Sequence, residues 1–182
     1  IRKITLFRSK KVLVILSQVP PGFTRKIIWP SNKLYYQVES LIFGDAIHRA
    51  IKPERTIIGC SNPSDKINLK LKKYLNLFKC PILKMKYESA ELAKISTNMY
   101  LISSITTTNL LSELSNKIGA NWPDISSALK LDRRIGKHAY LKPGLGISGG
   151  NLERDLNTVI RACNRYNLDK NIFNMWKKKS NY

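Results

Sequence analysis

The sequence predicts an α/β segment followed by an all-α segment, with the change of character near residue 85. Three observations carry that expectation. Short β-branched apolar runs closed by proline and glycine occupy the first half. From Glu88 an apolar spacing of three to four is sustained for about seven turns. A glycine-rich loop at 142–155 then feeds a further helical pattern.

In the first half, Val12–Leu16 is a continuous apolar run ended by Ser17-Gln18-Val19-Pro20-Pro21-Gly22, which reads as a buried parallel strand entering a tight turn. Thr24–Ile28 begins a crossover. Leu34–Val38 and Arg55–Gly59 are the next strands, the latter introduced by Lys52-Pro53-Glu54. Short strands separated by helical stretches make an α/β unit. The turn Ser61–Asp65 opens an amphipathic helix whose apolar set is Ile67, Leu69, Leu71, Tyr74, Leu75 and Phe78.

In the second half, Leu92, Ile95, Met99, Ile102, Ile105, Leu110, Leu111 and Leu114 define one long helix. Ile118-Gly119-Ala120 closes it as a glycine C-cap. A helix of this length is expected at a domain junction or subunit interface. Asn121-Trp122-Pro123-Asp124 starts a shorter helix to about Leu131, and Asp132–Gly136 is a turn. The loop Lys142–Asp155 carries glycines at 144, 146, 149 and 150, and a helix begins at Asn151 with Leu152, Leu156, Val159, Ile160 and Cys163 on one face. Such a loop can present free N–H groups to an anion. It is equally readable as a plain turn capped by Asn151, a favoured N-cap residue.

Bulk properties bound the function. The 182 residues suffice for one solid core or two small ones. At 43% hydrophobic and 24% charged the chain is of soluble globular type, with no run approaching a membrane span. It begins at Ile1 without a signal-peptide pattern, so it is expected to start inside a longer protein. Cys60, Cys80 and Cys163 are widely separated, which argues against a disulfide framework or zinc site and for a reducing, cytosolic setting. His48 and His138 are isolated, so no metal is expected. The formal charge of +20 invites an anionic partner, yet the lysines are scattered among Ile and Asn in a compositional bias. No nucleic-acid-binding signature with interleaved aromatics accompanies them.

Lys94 and Asn98 are an i, i+4 pair on one face of the long helix, with Glu91 a turn earlier. A cation and an amide aimed at one point can stabilise a developing oxyanion, although a solvated helix face has the same spacing. Six segments then stand in a fixed order: Ser17-x-Val19-Pro20-Pro21-Gly22; Glu39-x-Leu41-x-x-Gly44; Pro53-Glu54-Arg55; Glu91-Leu92-x-Lys94-x-x-x-Asn98; Asp132-x-Arg134-Ile135-Gly136; and Gly144-x-Gly146-x-x-Gly149.

This succession resembles the UDP-glucose/GDP-mannose dehydrogenase family of NAD-dependent nucleotide-sugar dehydrogenases, from about Val12 to Tyr166. The resemblance implies an internal piece: residues 1–85 as the C-terminal part of a Rossmann-like parallel sheet, and residues 86–182 as a helical central domain that forms a homodimer. The leading strand of the Rossmann domain with its own G-x-G-x-x-G fingerprint, which is distinct from the loop at 144–149, and the third, nucleotide-binding domain are not among these residues. Lys94 and Asn98 match the pair beside the oxidised sugar carbon. Asp155 matches the acid that handles the proton with a bound water, and Glu39 the glutamate that assists hydrolysis of the covalent intermediate. Arg134 matches the arginine that reaches into the partner's substrate site. Gly146 and Gly149 keep the loop around the sugar, while Gln18, Val19 and Pro20 stand at the NAD-contacting turn.

Two positions depart from the pattern. Asn151 stands where relatives carry the nucleophilic cysteine, and Gln18 replaces a small hydroxyl residue. The context of Glu39 is altered as well, to Val38-Glu39-Ser40-Leu41. The implied reaction is oxidation of the C6 alcohol of a UDP- or GDP-hexose by NAD for polysaccharide precursors. The alternatives are a homologue that never makes the acid (a redox epimerase or nucleotide-sugar binder) and a basic nucleic-acid-binding protein.

Overall fold

The computed structural model describes residues 11–39, 44–144, 146–147 and 150–179. The chain divides into two compact units, Ile1–Lys94 and Ile95–Tyr182.

The first unit is built on four strands, β1 (Leu13–Ile15), β2 (Leu34–Gln37), β3 (Thr56–Cys60) and β4 (Ile82–Lys86), in the order β1-β2-β3-β4. β1 and β2 are parallel, as are β3 and β4, but β2 and β3 run antiparallel. The sheet is therefore mixed, not parallel as expected. The connection explains the difference. Parallel strands are usually joined by a helix that packs on the sheet face, and helix α1 (Ala46–Ile51) between β2 and β3 has only six residues and buries none of them.

Side-chain alternation divides the core between the two sheet faces. Leu34, Tyr36 and Ile57 join Val19, Tyr87 and Ala90 on one side. Tyr35, Ile58 and Cys60 face Leu71 and Leu75 on the other. Those two leucines belong to α2 (Leu69–Asn76), capped by Asn68, whose side-chain oxygen accepts from the Lys70 N–H at 3.1 Å. The expected apolar face of α2 is narrower than its sequence implies: Leu69 and Tyr74 are exposed, because two turns offer the sheet only one i, i+4 contact.

β4, absent from the sequence expectation, runs directly into α3 (Tyr87–Lys117). Gly59 marks the seam between them and the sheet. A Cβ there would lie 2.9 Å from the Ala90 Cβ and 3.2 Å from the Tyr87 Cα, so only glycine fits.

The 31-residue length of α3 matches the long helix read from the spacing. It ends as expected, with Gly119 at φ +73° and the Ala120 N–H donating to the Ser115 carbonyl at 2.8 Å, a Schellman closure. The second unit adds α4 (Trp122–Leu131), α5 (Gly150–Arg165) and α6 (Asn171–Lys179) to the later turns of α3. Ile95, Met99, Ile102 and Leu156 form its core, with Leu152, Val159, Ile160, Phe173 and Trp176 packed around them. α5 begins one residue earlier than expected, so Asn151 lies in its first turn and does not cap it. α6 was not anticipated. Its lysines hide an apolar pair, Phe173 and Trp176, whose rings meet edge to face at 5.3 Å. Among the described residues, no helix is long and apolar enough to cross a membrane.

Candidate functional site

Apart from Arg134, the expected residues fall into three local groups. The first lies at the carboxyl ends of β1 and β2. Because these strands are parallel, Gln18-Val19-Pro20 after β1 and Glu39 after β2 share one end of the sheet. That is the end where α/β proteins place ligands. Val19 is buried in the core, Gln18 and Glu39 are half-buried, and Pro20 is exposed. Glu39 lines a small cavity of about 160 Å³ with Arg49, Arg55 and Tyr74. Leu41 of the same segment lies outside the described residues.

The turn after Pro20 is held by the first turns of α3. The fully buried Glu91 carboxylate accepts from the Gly22 N–H at 2.5 Å and from the Thr24 N–H at 2.8 Å. Arg25 pairs with Glu88 through both carboxylate oxygens, its second contact at 3.0 Å, and its guanidinium lies over the Tyr87 ring. Hydrogen bonding to Arg25 holds the Glu88 carboxyl below its ordinary value. Burial pushes the Tyr87 phenol up to about 12, so it stays protonated and donates to the Leu34 carbonyl at 2.8 Å.

The second group lies on α3 and α5. The Asn98 side-chain amide donates to Asp155 Oδ2 at 2.5 Å, with Asn98 7% and Asp155 1% exposed. Two residues 57 positions apart in sequence thus meet in the second unit. The Arg154 guanidinium stands 3.7 Å from the other carboxylate oxygen. A carboxylate so buried requires partners of this kind, since desolvation of an unpaired charge costs several kcal/mol or more. Lys94, half-buried, is one helical turn before Asn98 on the same continuous helix. Asn151 is exposed, one turn before Asp155 on α5.

The third group is the glycine loop. Gly146 has φ +94°, a backbone conformation that favours glycine. A Cβ on Gly144 or Gly150 would meet no described atom within 4 Å, so packing does not require glycine at either position. Gly149 lies outside the described residues. Sequence reasoning missed what seats this loop. Thr108 Oγ1 donates to the Tyr140 carbonyl at 2.8 Å, Trp122 Nε1 to the Leu141 carbonyl at 2.9 Å, and Asn109 Oδ1 accepts from the Gly144 N–H at 2.9 Å. The available signal was Thr106-Thr107-Thr108-Asn109, a run of poor helix formers inside a long helix. Beside the loop a cavity of about 400 Å³ is lined by Asn109, Ser112, Glu113, Asn116, Gly146 and Lys179.

Arg134 is exposed, and its guanidinium and backbone N–H bind Asp132 two residues earlier, with contacts of 2.6 to 3.0 Å. The same bonds lower the Asp132 carboxyl and raise the guanidinium. Cys163 faces the core three turns beyond Asn151, about 18 Å away by helix rise. No nucleophilic thiol stands at position 151.

Comparison with known proteins identifies the family of the chain. Residues 88–181 match the model of the UDP-glucose/GDP-mannose dehydrogenase family, central domain. The chain is 29% identical to UDP-glucose 6-dehydrogenase TuaD of Bacillus subtilis, over 84% of this chain and 34% of that protein. It is 30% identical to the UDP-glucose 6-dehydrogenase of Rickettsia conorii, over 87% of this chain and 38% of the relative. A UDP-glucose dehydrogenase from the archaeon Pyrobaculum islandicum superposes with a TM-score of 0.79 at 27% identity, covering 94% of this chain and 41% of that one. The chain thus spans about a third to two-fifths of the length of these relatives.

Proposed function

Because this chain belongs to the UDP-glucose/GDP-mannose dehydrogenase family, we propose that it is part of an NAD-dependent enzyme that oxidises the C6 alcohol of a UDP- or GDP-hexose to the aldehyde. The observation that carries this reading is the buried Asn98–Asp155 contact, with Lys94 one turn earlier on α3. In this reading residues 1–85 are the end of the cofactor domain and residues 86–182 the central domain.

NAD, when bound, accepts the hydride from the carbinol carbon. The residues after β1 suit the nicotinamide end of such a ligand. Pro20 and the half-buried Gln18 offer an apolar wall and an amide, while the Gly22 and Thr24 N–H groups are already taken by Glu91 and do not form a phosphate cradle. Around the sugar, the Lys94 ammonium and Asn98 amide stabilise the alcohol oxygen as it loses its proton. Asp155 receives that proton through a water. Asn98 orients the carboxylate by donating to Oδ2, and the Arg154 guanidinium stands beside Oδ1.

The step from aldehyde to acid ordinarily passes through a thiohemiacetal and a thioester, and so needs a thiolate. Asn151 has none, which favours a homologue that stops at the aldehyde, as a dehydrogenase or redox epimerase. Exposed apolar residues on α3 and α4, among them Tyr100, Leu110, Leu114 and Leu131, support a homodimer built through the central domain. Cys60, Cys80 and Cys163 are all free, in keeping with a cytoplasmic enzyme.

The test counts NADH formed per nucleotide sugar consumed by the full-length parent protein. One per sugar supports the aldehyde-forming reading. Two would overturn the inference drawn from Asn151, and none, with NAD and sugar both bound, would leave the epimerase or binder. In an enzyme that gives one, Asn151→Cys is expected to move the ratio toward two.

A further inference from the structure

We infer that Glu91 is a positioning residue for the cofactor: it holds the Gln18–Pro20 turn in place through the Gly22 and Thr24 N–H groups. The inference rests on the dinucleotide reading of that turn.

Three features set Glu91 apart from an ordinary buried acid. It is completely inaccessible, yet among the hydrogen bonds described for it both are to backbone amides of one turn, more than sixty residues away in sequence. Each carboxylate oxygen takes a different amide, so the contact fixes both the distance and the rotation of the turn against α3. Charge-assisted bonds of this kind are about twice as strong as neutral ones. Glu91 also stands only three residues before Lys94. The same helix therefore carries the clamp for the cofactor turn and the ammonium for the sugar oxygen. A shift of about 1 Å at the turn would misalign donor and acceptor carbons for hydride transfer, and misplacement of that size can cost on the order of a hundredfold in rate. Glu91 acts on the turn through the Gly22 and Thr24 N–H groups.

Glu91→Gln keeps one acceptor oxygen but turns an NH₂ toward the second amide, so one of the two N–H groups loses its partner. The experiment compares wild type and Glu91→Gln in the full-length parent protein, well below the melting temperature of each. NADH binding is followed by fluorescence, UDP-glucose binding by calorimetry, and backbone hydrogen exchange of the 18–25 segment by mass spectrometry. Expected are about tenfold weaker NADH binding, UDP-glucose affinity within twofold of wild type, and at least tenfold faster exchange at 18–25 with β3 unchanged. A further rise in KM for NAD that leaves KM for the sugar in place would agree.

Equal loss of both ligands, or wild-type binding of both, overturns the inference and leaves the dehydrogenase reading standing. A wild-type protein that binds no NADH overturns both. Should Glu91→Gln fail to fold, Glu91→Asp is read in the same way. It keeps the charge on an arm one methylene shorter, and the same selective loss of NADH is expected.

Discussion

Among the described residues each unit buries one carboxylate, Glu91 in the first and Asp155 in the second, and the two are satisfied in opposite ways. Glu91 in the first unit is held by two backbone N–H groups of a single turn, which cannot rotate away. Asp155 in the second is held by a side-chain amide and a neighbouring guanidinium, both on rotatable stems. No other acidic side chain among the described residues is buried. A carboxylate fixed on backbone amides is suited to setting geometry. One held by side-chain donors is suited to the proton handling proposed above, because those donors can rearrange. Burial alone would not have told the two apart, but their donors do.

The sharpest way to break this comparison is Asp155→Asn in the full-length parent protein. It preserves shape and removes the proton acceptor, and NADH formation is expected to fall by about 10²–10⁴-fold with nucleotide-sugar affinity nearly unchanged. A fall below tenfold, measured by initial rates, would deny Asp155 the role in proton handling proposed for it.

Gly59→Ala sharpens the contrast from the structural side. It forces a methyl against Ala90 and Tyr87 at the seam that carries Glu91, at an expected cost of about 1–3 kcal/mol in urea unfolding. Thr108→Val tests the loop seat. It leaves the Tyr140 carbonyl without its donor and should cost about 1–2 kcal/mol, with slower turnover if the loop then shifts.

The smallest effect belongs to Glu88→Gln. Arg25 lowers the Glu88 carboxyl below its ordinary 4.5 in the folded state, so its contribution is present above that value and is lost as pH falls through the lowered one. Both side chains are more than a third exposed, so at pH 7 the variant should lose no more than about 0.5 kcal/mol. The difference from wild type should shrink in melts as pH falls below 4.5 and vanish once Glu88 is protonated in the folded state.

What the sequence disclosed follows from what each residue has to do locally. The long helix and its end were legible because a spacing of three to four and a glycine at φ +73° are requirements of that chain segment alone. Lys94 and Asn98 were paired by helix geometry, and Asp155 was joined to them only through the ordered motifs. β4 was missed because Lys84 and Lys86 break its apolar character; β3 beside it completes the strand. α6 was masked by its lysines. The antiparallel step between β2 and β3 leaves no mark, since strands buried on both faces read alike in either direction. The Glu91 clamp was invisible for a plainer reason: backbone N–H groups are the same in every residue but proline.

That clamp has a consequence for a chain of charge +20. Turns with converging amides commonly serve as nests for phosphate or sulfate, and the segment after β1 would qualify if it were vacant. Glu91 is its resident anion. It is delivered by the polypeptide itself and cannot be washed out by salt or displaced by a passing polyanion. The most obvious amide nest in the first unit is therefore closed to solute phosphates from the moment the protein folds, whatever the surplus of lysine around it.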